Sequence, residues 1–172
     1  WFIENVLPKL DSSLTYLVAG NGPEQKNIAA TIQRLQLQDR VLMLGEVSAE
    51  DRELLFSCAD LFVQPNIPVA GDMEGFGLVV LEAAERKLPV VAANIEGLQD
   101  AISHGNNGYL VAAGDANAWQ RRITTLLQDP DGLLQAGKLA RTYVHAHYAW
   151  ELIAARYEEI LARVSTRQPD CR

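Results

Sequence analysis

Two carboxylates bracket the stretch of this sequence best suited to chemistry, Pro65 to Glu85 (PNIPVAGDMEGFGLVVLEAAE). An apolar run ending at Gln64 reads as a strand, a polar loop follows, and Gly75-Phe76-Gly77 opens the next helix. That helix carries Leu78, Val79, Val80, Leu81, Ala83 and Ala84, so it is apolar nearly all round and is predicted to be buried. Glu82 falls inside it. A lone carboxylate taken out of water must find a partner or be protonated. A core ion pair, a loop to cap, or a ligand would each satisfy it. Gly75 and Gly77 leave backbone N–H groups open at a helix start, where the dipole favours an anion such as phosphate. The same glycines would equally serve a tight strand-to-helix connection. At ~1.5 Å of rise per residue, Glu74 and Glu82 stand up to ~12 Å apart along the axis. That exceeds the ~5–9.5 Å of a glycoside-hydrolase carboxylate pair. It suits two acids gripping hydroxyls on opposite sides of a diphosphate.

These residues need a scaffold, and the pattern supplies one. Leu14–Ala19, Val41–Leu44, Leu61–Val63 and Val90–Ala92 are nearly continuous aliphatic runs, which predict parallel strands buried on both faces. Apolar stripes between them predict helices: Phe2, Ile3, Val6, Leu7 and Leu10; then Ile28, Ile32, Leu35 and Leu37; then Leu54, Leu55 and Cys58. Gly20-Asn21-Gly22-Pro23 ends the first strand, and Ser48 is placed to cap a helix with Asp51 in its first turn. The fold class is therefore α/β, a Rossmann-like parallel sheet with flanking helices. Gly108–Val111 could add a last strand; helices over Ala116–Gln128, Gly132–His147 and Trp150–Val164 would form a cap along one side, and residues 165–172 read as a polar tail. No linker divides residues 1–164. Because the chain opens inside a helix at Trp1, the sheet is expected to lack its first strand.

Composition narrows the partners. The 172 residues are 48% hydrophobic and carry a formal net charge of −7, which disfavours nonspecific nucleic-acid binding and a basic membrane surface. No apolar run approaches the ~18 residues of a membrane span, and two cysteines, Cys58 and Cys171, make no disulfide framework, so a cytoplasmic location is expected. Asp129-Pro130-Asp131 looks like a metal-binding Asp-x-Asp, but it is better read as an N-cap with proline at the first helical position. Gly20-x-Gly22 lacks a third glycine and reads as a turn that could line the cleft. His145 and His147 lie on different helix faces and His104 reads as a helix C-terminal residue, so no metal set is expected. Trp119, Trp150 and Cys58 read as core.

Glu74-Gly-Phe-Gly-Leu-Val-Val-Leu-Glu82 resembles the Glu–seven residues–Glu signature of family 4 (group 1) retaining glycosyltransferases of bacterial type, which have the GT-B fold. Leu17–Glu24, Val41–Val47, Leu88–Ala93 and Asn106–Val111 are similar, in order, to later strands of that family's C-terminal, donor-binding half. Tyr148-Ala-Trp-Glu151 lies where the family begins the helix that returns to its other domain. The resemblance implies that Glu74 contacts hydroxyls of the donor sugar and that Glu82 holds the ribose hydroxyls. The amides of Phe76 and Gly77, after Gly75, would meet the distal phosphate. Gly97 would lie near the loop approaching the sugar, and Gly45, Glu46 and Val47 would border the base.

The implied activity is metal-independent, retaining transfer of a hexose from a nucleoside-diphosphate sugar to a glycan, lipid or small-molecule acceptor. No resident cofactor is implied, since the nucleotide sugar is a substrate. The family's Arg and Lys, which neutralise the leaving diphosphate, and its acceptor-binding N-terminal domain are absent from this chain, so alone it is expected to be inactive. Membrane contact would come only through a lipid-linked acceptor, at the inner face. The Asn66…Gly71-Asp72-Met73-Glu74 loop leans faintly toward GDP-mannose. Two other readings fit the same residues: a non-catalytic nucleotide(-sugar)-binding module, or another GT-B enzyme such as a sugar epimerase or phosphorylase.

Overall fold

The computed structural model describes residues 1–71, 73 and 75–165. In chain order they form α1 (Phe2–Asn5) with a 3-10 turn (Leu7–Lys9), β1 (Tyr16–Ala19), α2 (Gln25–Arg34), β2 (Val41–Gly45), α3 (Ala49–Cys58) and β3 (Phe62–Gln64). Then come α4 (Leu78–Glu85), β4 (Val90–Ala93), α5 (Leu98–Ala101), β5 (Tyr109–Val111), α6 (Ala116–Leu127), α7 (Pro130–Tyr148) and α8 (Trp150–Ser165). All strand pairings are parallel, and helices flank them, as the alternating pattern predicts. The sheet, however, is in two parts: β1 pairs with β2, while β3, β4 and β5 pair in that order.

Burial follows this division. Val90 to Ala93 of β4, with a partner on each side, are wholly inaccessible. β1 and β2 are not buried on both faces as predicted; Leu17, Leu42 and Leu44 are exposed. The predicted stripe Phe2, Ile3, Val6, Leu7 and Leu10 is buried throughout. Its helix breaks early because Pro8 supplies no N–H to continue it. Phe2 lies 5.0 Å from the Tyr16 ring and 5.9 Å, edge-on, from Trp119 of α6. Trp119 is fully buried and donates its indole N–H to the Ala112 carbonyl (3.1 Å). Asn107 is buried just before β5; it accepts from the Ser103 amide (2.7 Å) and donates to the Ala101 carbonyl (2.9 Å).

The predicted caps are present. Ser48 Oγ accepts from the Asp51 amide (3.0 Å), and Asp129 accepts from the Gly132 amide (3.0 Å) with Pro130 in the first turn. Four readings are corrected. In α3, Phe56 faces the core while Leu54 and Cys58 are exposed, because the helix is rotated from the predicted stripe. Trp150 is 81% exposed, since α8 buries none of its residues, so this part of the cap stands off the sheet. His104 lies beyond α5, which ends at Ala101, and its Nδ1 accepts from the Leu110 amide (3.1 Å). Ser165 still belongs to α8; the rest of the tail at 165–172, with Cys171, lies outside the described residues. Among the described residues no helix is long and apolar enough to cross a membrane.

Half-buried Tyr16 gives a pH test. Burial pushes its phenol up to about 12, so the folded protein holds a proton that the unfolded chain releases near the ordinary tyrosine value. The resulting stabilisation is complete below pH ~10 and is lost as pH rises from there through about 12. The urea midpoint of the wild type should therefore fall more steeply across that window than that of Tyr16→Phe. Parallel curves would mean that Tyr16 titrates normally.

Candidate functional site

Parallel sheets flanked by helices offer ligands the crevice at the carboxyl ends of their strands, where strand order reverses. The corresponding place here lies between β1 and β3. β1 ends in Gly20 (φ +120°) and β2 in Gly45 (φ +67°), and the Gly20 amide donates to the Gly45 carbonyl at 2.6 Å. Gly20, Glu46 and Val47 are among the residues lining a cavity of about 900 Å³, with Arg52, Asn66 and Val79. The Gly45–Val47 segment and the Gly20 turn thus meet at one cleft.

α4 follows the loop after β3. Its N-cap is Gly77, held at φ +73°, and among the described residues no side chain caps the helix start. A Cβ at Gly77 would also overlap the Leu98 side chain of α5. Gly97, the N-cap of α5, lies directly beneath the Gly75 carbonyl, which the Cβ of any larger residue would overlap. Gly75, Phe76, Gly77 and Gly97 are therefore brought together. The Phe76 ring, itself exposed, meets Tyr148 edge-on at 5.9 Å, and the Tyr148 hydroxyl donates to the Asp100 carbonyl (3.1 Å). Burial, with smaller contributions from Tyr143 and Asp100, raises the Tyr148 pKa above its ordinary value.

Glu82 departs from its prediction. It is not interior: its side chain is 42% exposed, and its Oε2 lies 3.5 Å from Arg52 Nη1 of α3. Val80, Leu81, Ala83 and Ala84 bury the core face of α4, whereas Leu78 and Glu82 turn outward. α4 is strapped on both sides, with Arg86 paired to Glu53 of α3 (2.5 Å) and Glu85 to His145 of α7 (3.0 Å). Glu74 lies outside the described residues. Arg52 was missed by sequence reasoning. It sits on the polar face of a short helix, 30 positions before Glu82, and no local spacing links the two. It pairs with Glu82 and itself lines the cavity, placing a cation at its wall.

Taken together, α4 offers a helix terminus without a side-chain cap among the described residues and, on the same helix, a half-exposed carboxylate paired with the Arg52 guanidinium. Comparison with known proteins gives the family. The family model described as "Glycosyl transferases group 1" matches residues 3–143. The N-acetyl-alpha-D-glucosaminyl L-malate synthase of Bacillus anthracis is 31% identical over 155 residues, covering 90% of this chain and 38% of that protein. A GDP-mannose-dependent phosphatidylinositol monomannoside mannosyltransferase of Mycobacterium tuberculosis (strain ATCC 25618 / H37Rv) is 28% identical over 147 residues, covering 84% and 38%. Among solved structures, Anabaena Alr3699/HepE in complex with UDP superposes with a TM-score of 0.83 at 26% identity, covering 94% of this chain and 44% of that one. The chain thus spans about two-fifths of the length of these relatives.

Proposed function

Since this chain belongs to the group 1 glycosyltransferases, we propose that it is the donor-binding half of a retaining, metal-independent enzyme that moves a hexose from a nucleoside-diphosphate sugar to an acceptor. The observation that carries this reading is the start of α4 at Gly77, without a side-chain cap among the described residues, on the same helix whose Glu82 pairs with Arg52. The distal phosphate of the donor sits at the Phe76 and Gly77 amides, where the helix dipole stabilises the charge that grows as the glycosidic bond breaks. Glu82 turns from Arg52 to the ribose hydroxyls, and Arg52 is then free to face the diphosphate. Gly45, Glu46 and Val47 border the base, Gly97 supports the phosphate loop from below, and Glu74 holds the hexose. The acceptor site belongs to a further, N-terminal domain, so this chain alone turns over negligibly. The enzyme acts in the cytoplasm, reaching the inner membrane face only where its acceptor is lipid-linked.

Relatives and neighbours include one protein named as GDP-mannose-dependent and another solved with UDP, so donor choice is tested directly. The intact protein is offered UDP-, GDP- and ADP-hexoses with and without EDTA. The expected result is consumption of one donor class, product keeping the donor's anomeric configuration, and no effect of EDTA. Glu74→Ala should lower kcat while leaving donor affinity within a few-fold. An inverted product, or activity abolished by EDTA, would overturn the reading.

A further inference from the structure

Gly75, Phe76 and Gly77, the turn before α4, are each met by a residue from elsewhere in the fold. The Gly75 carbonyl rests against Gly97, Leu98 adjoins Gly77, and the Phe76 ring meets the Tyr148 ring at 5.9 Å. Gly97 and Leu98 begin α5, a helix of four residues, and Tyr148 closes α7. α7 lies along α4 from its end to its start. A Cβ at Gly137 would overlap the Lys87 carbonyl just beyond α4, His145 pairs with Glu85 in its last turn (3.0 Å), and Tyr148 reaches the turn ahead of it. Gly137, Ala140 and Val144 are the buried residues of α7, and Tyr148 continues their stripe at helical spacing. Ala149 follows in a non-helical conformation (ψ 137°), so Tyr148 is the last residue that α7 holds.

The hydroxyl of Tyr148 adds a second tie. The final carbonyls of a helix have no partner within it. Tyr148 donates to that of Asp100 (3.1 Å), with the Ala101 carbonyl at 3.4 Å. α5 therefore meets the Gly75–Gly77 turn at one end and Tyr148 at the other. We propose that Tyr148 is a positioning residue for the donor's diphosphate. Its ring braces Phe76, whose own ring is 37% exposed, and its hydroxyl ties that brace to the short helix that supports Gly75 and adjoins Gly77. The Phe76 and Gly77 amides are thereby held toward one point before a phosphate arrives. Donors already aimed need no reordering when charge appears, which is where such support acts. The proposal rests on the reading that these amides receive the distal phosphate, and it adds the residue that keeps them aimed.

The test titrates the intact protein calorimetrically with UDP and UMP, and with GDP and GMP, and takes the ratio of diphosphate to monophosphate affinity. Tyr148→Leu should lower that ratio about tenfold, by loss of the ring pair and the hydroxyl, and leave monophosphate affinity within about twofold. Tyr148→Phe keeps the ring and should lose only about two- to threefold. Phe76→Leu should match Tyr148→Leu, and the double variant should lose no more than either alone, because both act through one contact. If Tyr148→Leu does not fold, the same cycle is read with Tyr148→Phe and Phe76→Leu. Equal losses for mono- and diphosphate, an unchanged ratio, or additive losses in the double variant would each overturn the role of Tyr148 and leave the phosphate seat standing. A wild type that holds UDP and GDP no more tightly than their monophosphates would remove the seat itself, and this role with it.

Discussion

Glu82→Ala in the intact protein should weaken donor binding by about 10- to 100-fold while leaving the fold intact. The affinity loss follows from removing a charged acceptor for two ribose hydroxyls, since hydrogen bonds to charged groups contribute about 1.5–3 kcal/mol each and part is regained from solvent. Stability should hardly change. The Glu82–Arg52 contact is 3.5 Å long between side chains 42% and 47% exposed, the kind of surface pair that contributes about 0–1 kcal/mol. Alanine also favours the helix slightly more than glutamate does. Calorimetric titration with the preferred donor and its nucleoside diphosphate separates the two effects. Glu82→Gln, which keeps an acceptor but loses the charge, should fall between wild type and alanine. Arg52→Ala serves as the discriminating partner. If the ion pair were purely structural, both variants would lower the melting point alike and leave donor affinity unchanged, and the ribose role of Glu82 would be lost.

Much of the fold around the candidate site was legible in the sequence, and the exceptions share a physical cause. Strand and helix positions follow from apolar periodicity, and the caps at Ser48 and Asp129 follow from local hydrogen bonding within three residues. Such features depend on neighbours in sequence. The depth of Glu82 does not. The predicted burial treated α4 as covered on all sides, whereas α3 reaches its outer face only through side-chain tips, leaving Leu78 and Glu82 partly in solvent. The same reasoning misplaced the inward face of α3, where Phe56 outweighs Leu54 and Cys58, and took the aromatic character of Trp150 as a sign of burial. The Arg52–Glu82 pair joins two helices and has no local signature. The two-part sheet is visible only once the edges of β1 and β3 are seen to face a common cavity.

Gly97→Ala should cost about 1–3 kcal/mol of stability and disable the phosphate seat, although its backbone conformation suits any residue. Its φ of −64° and ψ of −14° are ordinary right-handed helical values, so no torsional preference calls for glycine. The constraint is space. A methyl group there would overlap the carbonyl of Gly75 and press on the Cα of Phe76, and both contacts are backbone that cannot rotate aside. Relief requires the starts of α4 and α5 to move apart, which displaces the Phe76 and Gly77 amides from their common aim. For a chain of this size the melting temperature should drop by roughly 2–12 °C, donor affinity should fall in the same variant, and Gly97→Val should be worse in both. Gly22 is the control, since nothing lies within 4 Å of a Cβ there and its alanine variant should melt with the wild type. Gly75→Ala separates support from contact. Its own Cβ would meet only open space, so it should fold normally, and any loss of donor affinity would come from crowding the ligand itself. Were Gly97→Ala as stable as wild type, the close approach of the two helix starts would be wrong, and with it the argument that α5 holds the amides of α4 toward a phosphate.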